Sequence, residues 1–155
     1  MNEVRTDIIK ALNPGGVEET KDGMDCILIA LDLKNKTLEY SSANNSFYII
    51  RNNTLILCPA DKMAVGKSPK DHEVFTYNKI LLEPGDYIYT LTDGLPDQFG
   101  GPKGKKFKYK QLEGLLLDTS SLPADEQKAK LETAFEEWKG NLEQVDDVLL
   151  IGIKI

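Results

Sequence analysis

The chain has little of what most catalytic centres are built from. Its 155 residues include one histidine, His72, and two cysteines, Cys26 and Cys58. His72 lies in the polar stretch "SPKDHE", which reads as a solvated loop, so histidine-based acid–base or nucleophilic chemistry has no carrier. Both cysteines fall inside apolar, strand-like segments and read as small buried hydrophobes. Without a C-x-x-C pair they specify neither a zinc site nor a disulfide framework. No G-x-S-x-G elbow supports a serine hydrolase. The glycines and lysines of residues 100–110 miss the spacing and the final hydroxyl of a phosphate-binding P-loop. No run approaches the roughly 18 apolar residues of a membrane span. The opening "MNEVRTDIIKAL" mixes acids into its apolar positions, unlike a signal peptide, so a cytoplasmic location is expected. A basic excess is missing too: the net charge of −6 argues against general nucleic-acid binding, because a polyanion meets a repulsive mean field.

What remains is an ordinary globular composition, 41% hydrophobic and 28% charged, in a chain long enough for one domain. Val4, Ile8, Ala11 and Leu12 form a helical stripe that "NPGG" terminates. Strand-like runs follow at 26–33, 37–43, 47–51 and 54–58, then at "NKILL" and "DYIYTLT". The turns "KN" (34–35) and "NN" (52–53) fit tight hairpins, since Asn tolerates positive φ, and the first half therefore reads as an antiparallel meander. Beyond Asp93 the period becomes helical. Tyr109, Leu112 and Leu116 share one face, and Leu131, Ala134, Phe135 and Trp138 share another, bounded by Pro123 and Gly140. The run "VLLIGIKI" (148–155) reads as a buried final strand. Strands, then helices, then a return strand predict a single α+β layered domain.

Two acidic positions interrupt apolar strand boundaries: Asp93 ends "YIYTLT", and Asp146 with Asp147 precedes "VLLIGI". If the two strands pair antiparallel, these carboxylates converge. Like charges in a half-buried site repel unless a cation lies between them, and a hard divalent ion such as Mg²⁺ or Mn²⁺ takes oxygen ligands of this kind. Gly94 would then allow a sharp turn and leave room for the ion's water. The competing account makes Asp93 and Asp146 turn residues that bind their own backbone. A second local feature is the basic stretch "GGPKGKKFKYK". Its Lys103, Lys105, Lys106, Lys108 and Lys110 form either a solvated loop or a docking surface for an acidic or phosphorylated partner.

The ordered segments "DGMDCILIALDLKNKTLEYSSANNSFYIIR", "LLEPGDYIYTLTDGLPDQFGG" and "FEEWKGNLEQVDDVLLIGIKI" resemble the C-terminal two-thirds of a bacterial metal-dependent protein phosphatase domain of the PPM class (protein phosphatase 2C-like). More narrowly, they are similar to its SpoIIE-like branch, often joined to sensor or response-regulator domains. The resemblance runs from about Asp22 to Ile155 and makes the chain one partial domain, residues 1–155. It implies a two-layer antiparallel β-sandwich flanked by helices (αββα), truncated at its N-terminal strands. It further implies Mn²⁺ or Mg²⁺ as cofactor, two ions in the family, with a metal-bound hydroxide attacking a phosphoserine or phosphothreonine. By motif, Asp93 of "TDG" and Asp146 of "VDDV" resemble metal-ligating aspartates, with Gly94 forming the turn and Asp97 and Asp147 as neighbours that support them at most. The family's upstream G-D-F-like strand and D-x-T-G-H-G element have no counterpart here. "SSANNSF", "AVG" and Leu149 also stand where relatives carry "GANNP", "PIG" and often Thr.

A two-metal site built from about four acidic ligands thus retains two, and weak or absent Mn²⁺ binding with little activity of this chain alone is expected. The implied role is a protein serine/threonine phosphatase in bacterial signalling, acting on a phosphorylated regulator such as an anti-sigma-factor antagonist. The alternative is a catalytically inactive, phosphatase-like module that binds a regulatory phosphoprotein through Lys103, Lys105, Lys106 and Lys108. The chain would be a fragment of a longer enzyme, a shortened relative, or a site completed by another chain. Open sheet edges predict a homodimer.

Overall fold

The computed structural model describes residues 1–13 and 22–155. The chain opens with helix α1 (Asn2–Leu12), followed by strands β1 (Gly23–Met24), β2 (Cys26–Asp32), β3 (Thr37–Ala43), β4 (Phe47–Arg51) and β5 (Thr54–Cys58). Next come β6 (Val65–Gly66), β7 (Asn78–Leu81) and β8 (Tyr87–Leu91), a short helix α2 (Gly94–Asp97), and the paired strands β9 (Phe99–Gly100) and β10 (Lys105–Lys106). Helices α3 (Tyr109–Thr119) and α4 (Ala124–Lys139) and strand β11 (Leu150–Lys154) complete it. The expected elements are all present. Of the "NPGG" stop only Asn13 is described; Pro14, Gly15 and Gly16 lie outside the described residues. No helix among the described residues is long and apolar enough to cross a membrane.

Backbone contacts divide the chain into two compact units, one of Met1–Phe47 and Leu57–Glu83, the other of Tyr48–Ile56 and Pro84–Ile155. In the first, β2, β3 and β7 form an antiparallel sheet in that order, and β1 pairs with β6. Helix α1 packs on β6 and carries an unusual buried residue, Arg5. Its guanidinium lies 4.8 Å from the Phe75 ring centroid and donates to the Met63 sulfur at 3.6 Å and to the Glu73 carbonyl. A buried guanidinium is tolerable because these partners, with the π face, replace its hydration.

In the second unit the sheet order is β11-β8-β4-β5, and α3 and α4 cover one of its faces. The period-2 alternation of a strand explains which residues they meet. Tyr48 and Ile50 of β4, with Tyr89 and Leu91 of β8, pack against Leu112, Leu116, Leu131 and Phe135. The two tyrosines keep their hydroxyls satisfied, Tyr48 donating to Glu113 at 3.0 Å and Tyr89 to Gln127 at 2.7 Å. The carboxylate of Asp86, 1% exposed, takes both Nε and Nη2 of Arg51, at 2.9 and 2.7 Å.

Three expectations need correction. The first half is not one meander: β3 pairs with β2 and β7, whereas β4 pairs with β8 and belongs to the other sheet. The chain leaves β3 at Asn44, whose φ of +58° and bond from its N–H to the Asp61 carbonyl (2.9 Å) turn it out of the ladder. In the β2–β3 turn the positive φ falls on Lys36 and not on Asn35, which instead donates its backbone N–H (2.9 Å) and its side-chain amide (2.6 Å) to Asp32. The "NN" turn is as expected, with φ of +48° at Asn52 and +59° at Asn53. Finally, β11 is an edge strand, paired among the described residues with β8 alone, and Ile151 is 47% exposed. An apolar run signals a surface that can be buried; it does not say on which side a partner strand lies.

Candidate functional site

The seam between β8 and β11 brings the acidic strand ends together. The pairing is antiparallel with Leu91 opposite Leu150, so the C-terminal end of β8 lies beside the residues that lead into β11. Thr92 closes the seam. Its N–H donates to the Leu149 carbonyl at 3.0 Å; its hydroxyl donates to the Asp147 carbonyl at 2.7 Å and accepts from the Leu149 N–H at 3.0 Å. Asp93 follows, half-buried, as the N-cap of α2, and its carbonyl accepts from the Asp97 N–H at 2.9 Å.

Gly94 has a role other than the one expected of it. It opens α2 with no positive φ, so a sharp turn is not what requires glycine here. A Cβ at this position would lie 2.4 Å from the Asp147 carbonyl oxygen and 2.9 Å from its carbon. Glycine is needed so that the backbone before β11 can pass directly over the start of α2.

The carboxylates themselves divide. Asp146, exposed, has its Oδ1 accepting from the N–H of the very next residue, Asp147, at 2.7 Å, a local side-chain-to-backbone bond. Asp147 meets the seam through its carbonyl. Asp97 is ion-paired with Lys106, whose ammonium lies 2.8 Å from the carboxylate. Among the described residues no cluster of three or more His, Cys, Asp or Glu side chains is placed to hold a metal ion. These residues therefore do not by themselves fit a two-ion centre. Asp93 and Asp146 stand on adjoining backbone segments, as the antiparallel pairing of β8 and β11 requires.

Sequence reasoning missed the residues that fix this arrangement. Gln98, fully buried, donates its amide to the Glu143 carbonyl at 2.9 Å and accepts from the Val145 N–H at 3.2 Å. Its backbone carbonyl takes the Trp138 indole N–H at 3.1 Å and the Phe107 N–H at 2.9 Å. One side chain thus pins the segment before Asp146 to the turn after Asp93. A glutamine among polar loop residues gives no sign of such burial. At the start of α3, burial first and then the negative charges of Asp93 and Asp97 push the Tyr109 hydroxyl pKa up.

The basic stretch is not a loop. Gly100 pairs with Lys105 and Phe99 with Lys106 around a turn at 101–104, where Gly101 and Gly104 have φ of +64° and +56°. Trp138 packs against the base of this hairpin so closely that a Cβ on Gly100 would lie 1.8 Å from its carbonyl oxygen. Lys108 then caps α3 with φ +74° and ψ +149°. This borders a region that is essentially glycine-only and costs a side-chain-bearing residue roughly 1–3 kcal/mol.

The sequence matches the Stage II sporulation protein E (SpoIIE) family over residues 3–155. No curated protein matches it. Among solved structures it is similar to the SiaA-PP2C domain of Pseudomonas aeruginosa, with 23% identity and a TM-score of 0.82 over 95% of this chain and 56% of that one. It is also similar to the PP2C phosphatase domain, with a fragment of the regulatory domain, of SpoIIE from Bacillus subtilis. Here identity is 16% and the TM-score 0.69, over 97% of this chain and 42% of that one. A third similar structure is RsbX in complex with magnesium, with 13% identity and a TM-score of 0.55 over 96% of this chain and 63% of that one. The chain thus spans about half the length of the first two, and these likenesses establish the fold.

Proposed function

The chain belongs to the Stage II sporulation protein E (SpoIIE) family, and on that premise we propose that residues 1–155 form one partial domain of a PPM-type protein serine/threonine phosphatase in bacterial signal transduction. The proposed substrate is a phosphoserine or phosphothreonine on a cytoplasmic regulatory protein, of the kind represented by an anti-sigma-factor antagonist. A sensor or response-regulator domain elsewhere in a longer protein would control it. The observation that carries the proposal is the β8–β11 seam, where Asp93 and the Asp146–Asp147 segment adjoin because Thr92 bonds across it and Gly94 lets the backbones touch.

In this proposal Asp93 and Asp146 are the metal-facing carboxylates of this chain, for Mn²⁺ or Mg²⁺. Thr92, Gly94 and Gln98 hold the two segments in place, and the remaining ligands come from outside the described residues. A second proposal, a phosphatase-like module that binds a phosphoprotein without chemistry, is favoured by the local bond of Asp146 to its own following N–H. Adding Mn²⁺ to the ¹⁵N-labelled chain separates them. Paramagnetic broadening at millimolar Mn²⁺, centred on residues 92–95 and 145–148 and removed by Asp93→Asn, is the expected result. Broadening that ignores this seam would leave only the binding module. Hydrolysis of p-nitrophenyl phosphate by this chain alone should stay at the buffer rate with Mn²⁺ present. Mn²⁺-dependent turnover lost in Asp93→Asn would refute the incomplete ligand set.

A further inference from the structure

We propose that the β9–β10 hairpin together with Lys108 is a docking surface for an acidic, phosphoserine- or phosphothreonine-bearing segment of a partner protein, with the Lys108 ammonium as its phosphate contact. The proposal rests on the phosphatase reading for the class of partner, though not on any metal.

Charge is the first ground. Between Gln98 and Lys110 there are five lysines and no acid, in a chain whose net charge is −6. All five are exposed. Among the described residues only Lys106 of the five is ion-paired, with Asp97. Among the described residues Lys103, Lys105, Lys108 and Lys110 make no ion pair, so four cationic heads on one short segment lack an internal counter-charge. A complementary anionic segment is what such a field attracts.

The second ground is that this surface is rigid. Phe107 is buried in the core at 3% exposure and meets Trp138 edge-on at 5.4 Å, while Trp138 covers Gly100 and Gly101 from behind. A preorganised backbone loses less freedom on binding than a solvated loop would.

Lys108 supplies the third. Its backbone is fixed by its N–H donating to the Pro96 carbonyl at 2.7 Å and by its carbonyl accepting from Gln111 and Leu112 at 3.2 and 3.3 Å. Glycine would meet all three bonds without strain. The side chain adds a cost to the fold and, among the described residues, returns no ion pair, and strain of this kind concentrates where a side chain is used on a ligand. The position also matters. Pro96, which takes the Lys108 N–H, belongs to α2, the short helix that Asp93 caps and whose first residue, Gly94, passes against the Asp147 carbonyl. A phosphorylated segment on this surface is therefore delivered to the edge of the seam.

The test uses the whole chain in EDTA at low salt. Trp138, the only tryptophan, is the fluorescent reporter. The probes are a 12-residue acidic peptide with one central phosphoserine and its unphosphorylated twin. Wild type should prefer the phosphopeptide about tenfold, the scale of one charge-assisted contact. Lys108→Arg should keep the preference. Lys108→Gly should abolish it while leaving the melting temperature unchanged or raised by roughly 2–4 °C, which separates a ligand contact from a folding defect. Equal affinity for the two peptides, no binding of either, or an undiminished preference in Lys108→Gly would overturn the proposal. So would displacement of the peptide by a single-stranded oligonucleotide of equal charge at lower concentration. Because no metal is present, this result is independent of whether Mn²⁺ finds Asp93.

Discussion

Replacing Gly94 by alanine inserts one methyl group where the chain has no space for it. The new Cβ would stand 2.4 Å from the Asp147 carbonyl oxygen, 2.9 Å from the carbonyl carbon and 3.2 Å from Val148 Cγ2, and the two nearest of these are backbone atoms, which no rotamer change can move. Real Cβ atoms essentially never come closer than 3.0 Å to such neighbours, so the 146–148 segment must shift. Forced repacking of this kind costs about 1–3 kcal/mol. The shift also strains the bonds that Thr92 makes to Asp147 and Leu149, each worth about 1 kcal/mol. Alanine's stiffer unfolded chain returns roughly 0.4–1 kcal/mol. The balance is a loss of about 2–4 kcal/mol, or a melting temperature lower by about 5–15 °C at this chain length. Gly114→Ala is the matched control: its Cβ meets nothing within 4 Å, on a helix where alanine is the better former by about 1 kcal/mol, so it should stabilise. Thermal unfolding followed by circular dichroism, with hydrogen exchange at the Thr92 and Leu149 amides, reads both effects. If Gly94→Ala melts within about 1 °C of wild type with both amides still protected, the close passage of the two backbones is not what glycine serves there.

Arg51→Met should cost about 3–5 kcal/mol in urea unfolding, because it strips the guanidinium from the buried Asp86 carboxylate, and adding Asp86→Asn should restore part of the loss. Burial pushes the Cys58 thiol up to about 12 and also raises that of the half-exposed Cys26; iodoacetamide at pH 8 should therefore modify Cys26 first and reach Cys58 only on unfolding. The same protons make stability depend on pH. Cys58 and Tyr89 ordinarily ionise near 9 and 10 and in the fold, through burial, near 12, so the folded state retains protons that the unfolded chain releases. Stability should hold below about pH 9 and fall as the pH rises toward 12, and a flat urea midpoint across that window would contradict the burial of both groups.

The elements were legible because their signals are local. Alternation marked the strands, the i, i+3, i+4 stripes marked α3 and α4, and paired asparagines marked the β4–β5 turn. The convergence of Asp93 with the 146–147 segment could also be anticipated, since strand ends meet in any antiparallel pair. What the sequence could not reveal depends on distant partners. Which sheet β4 joins, which side of β11 stays open, and what Gln98 finds in its buried position are all decided by residues tens of positions away. Gly94 shows the limit well. Its presence after an acid at a strand end suggested a turn, whereas the constraint comes from a carbonyl more than fifty residues further along.

That separation has a kinetic side. The hydroxyl bond from Thr92 to Asp147 spans 55 residues, and between them lie the hairpin and both long helices, whose own bonds are local. Closing so long a loop carries an entropic cost that neighbouring contacts do not, so elements with short-range pairing form first and long-range strand pairing afterwards. The two acidic segments therefore belong to the late part of the folding reaction. Ladder residues of β11 should show low φ-values, and the seam should be the first place from which the second unit comes apart. The acidic pair would then come together as one of the last acts of folding.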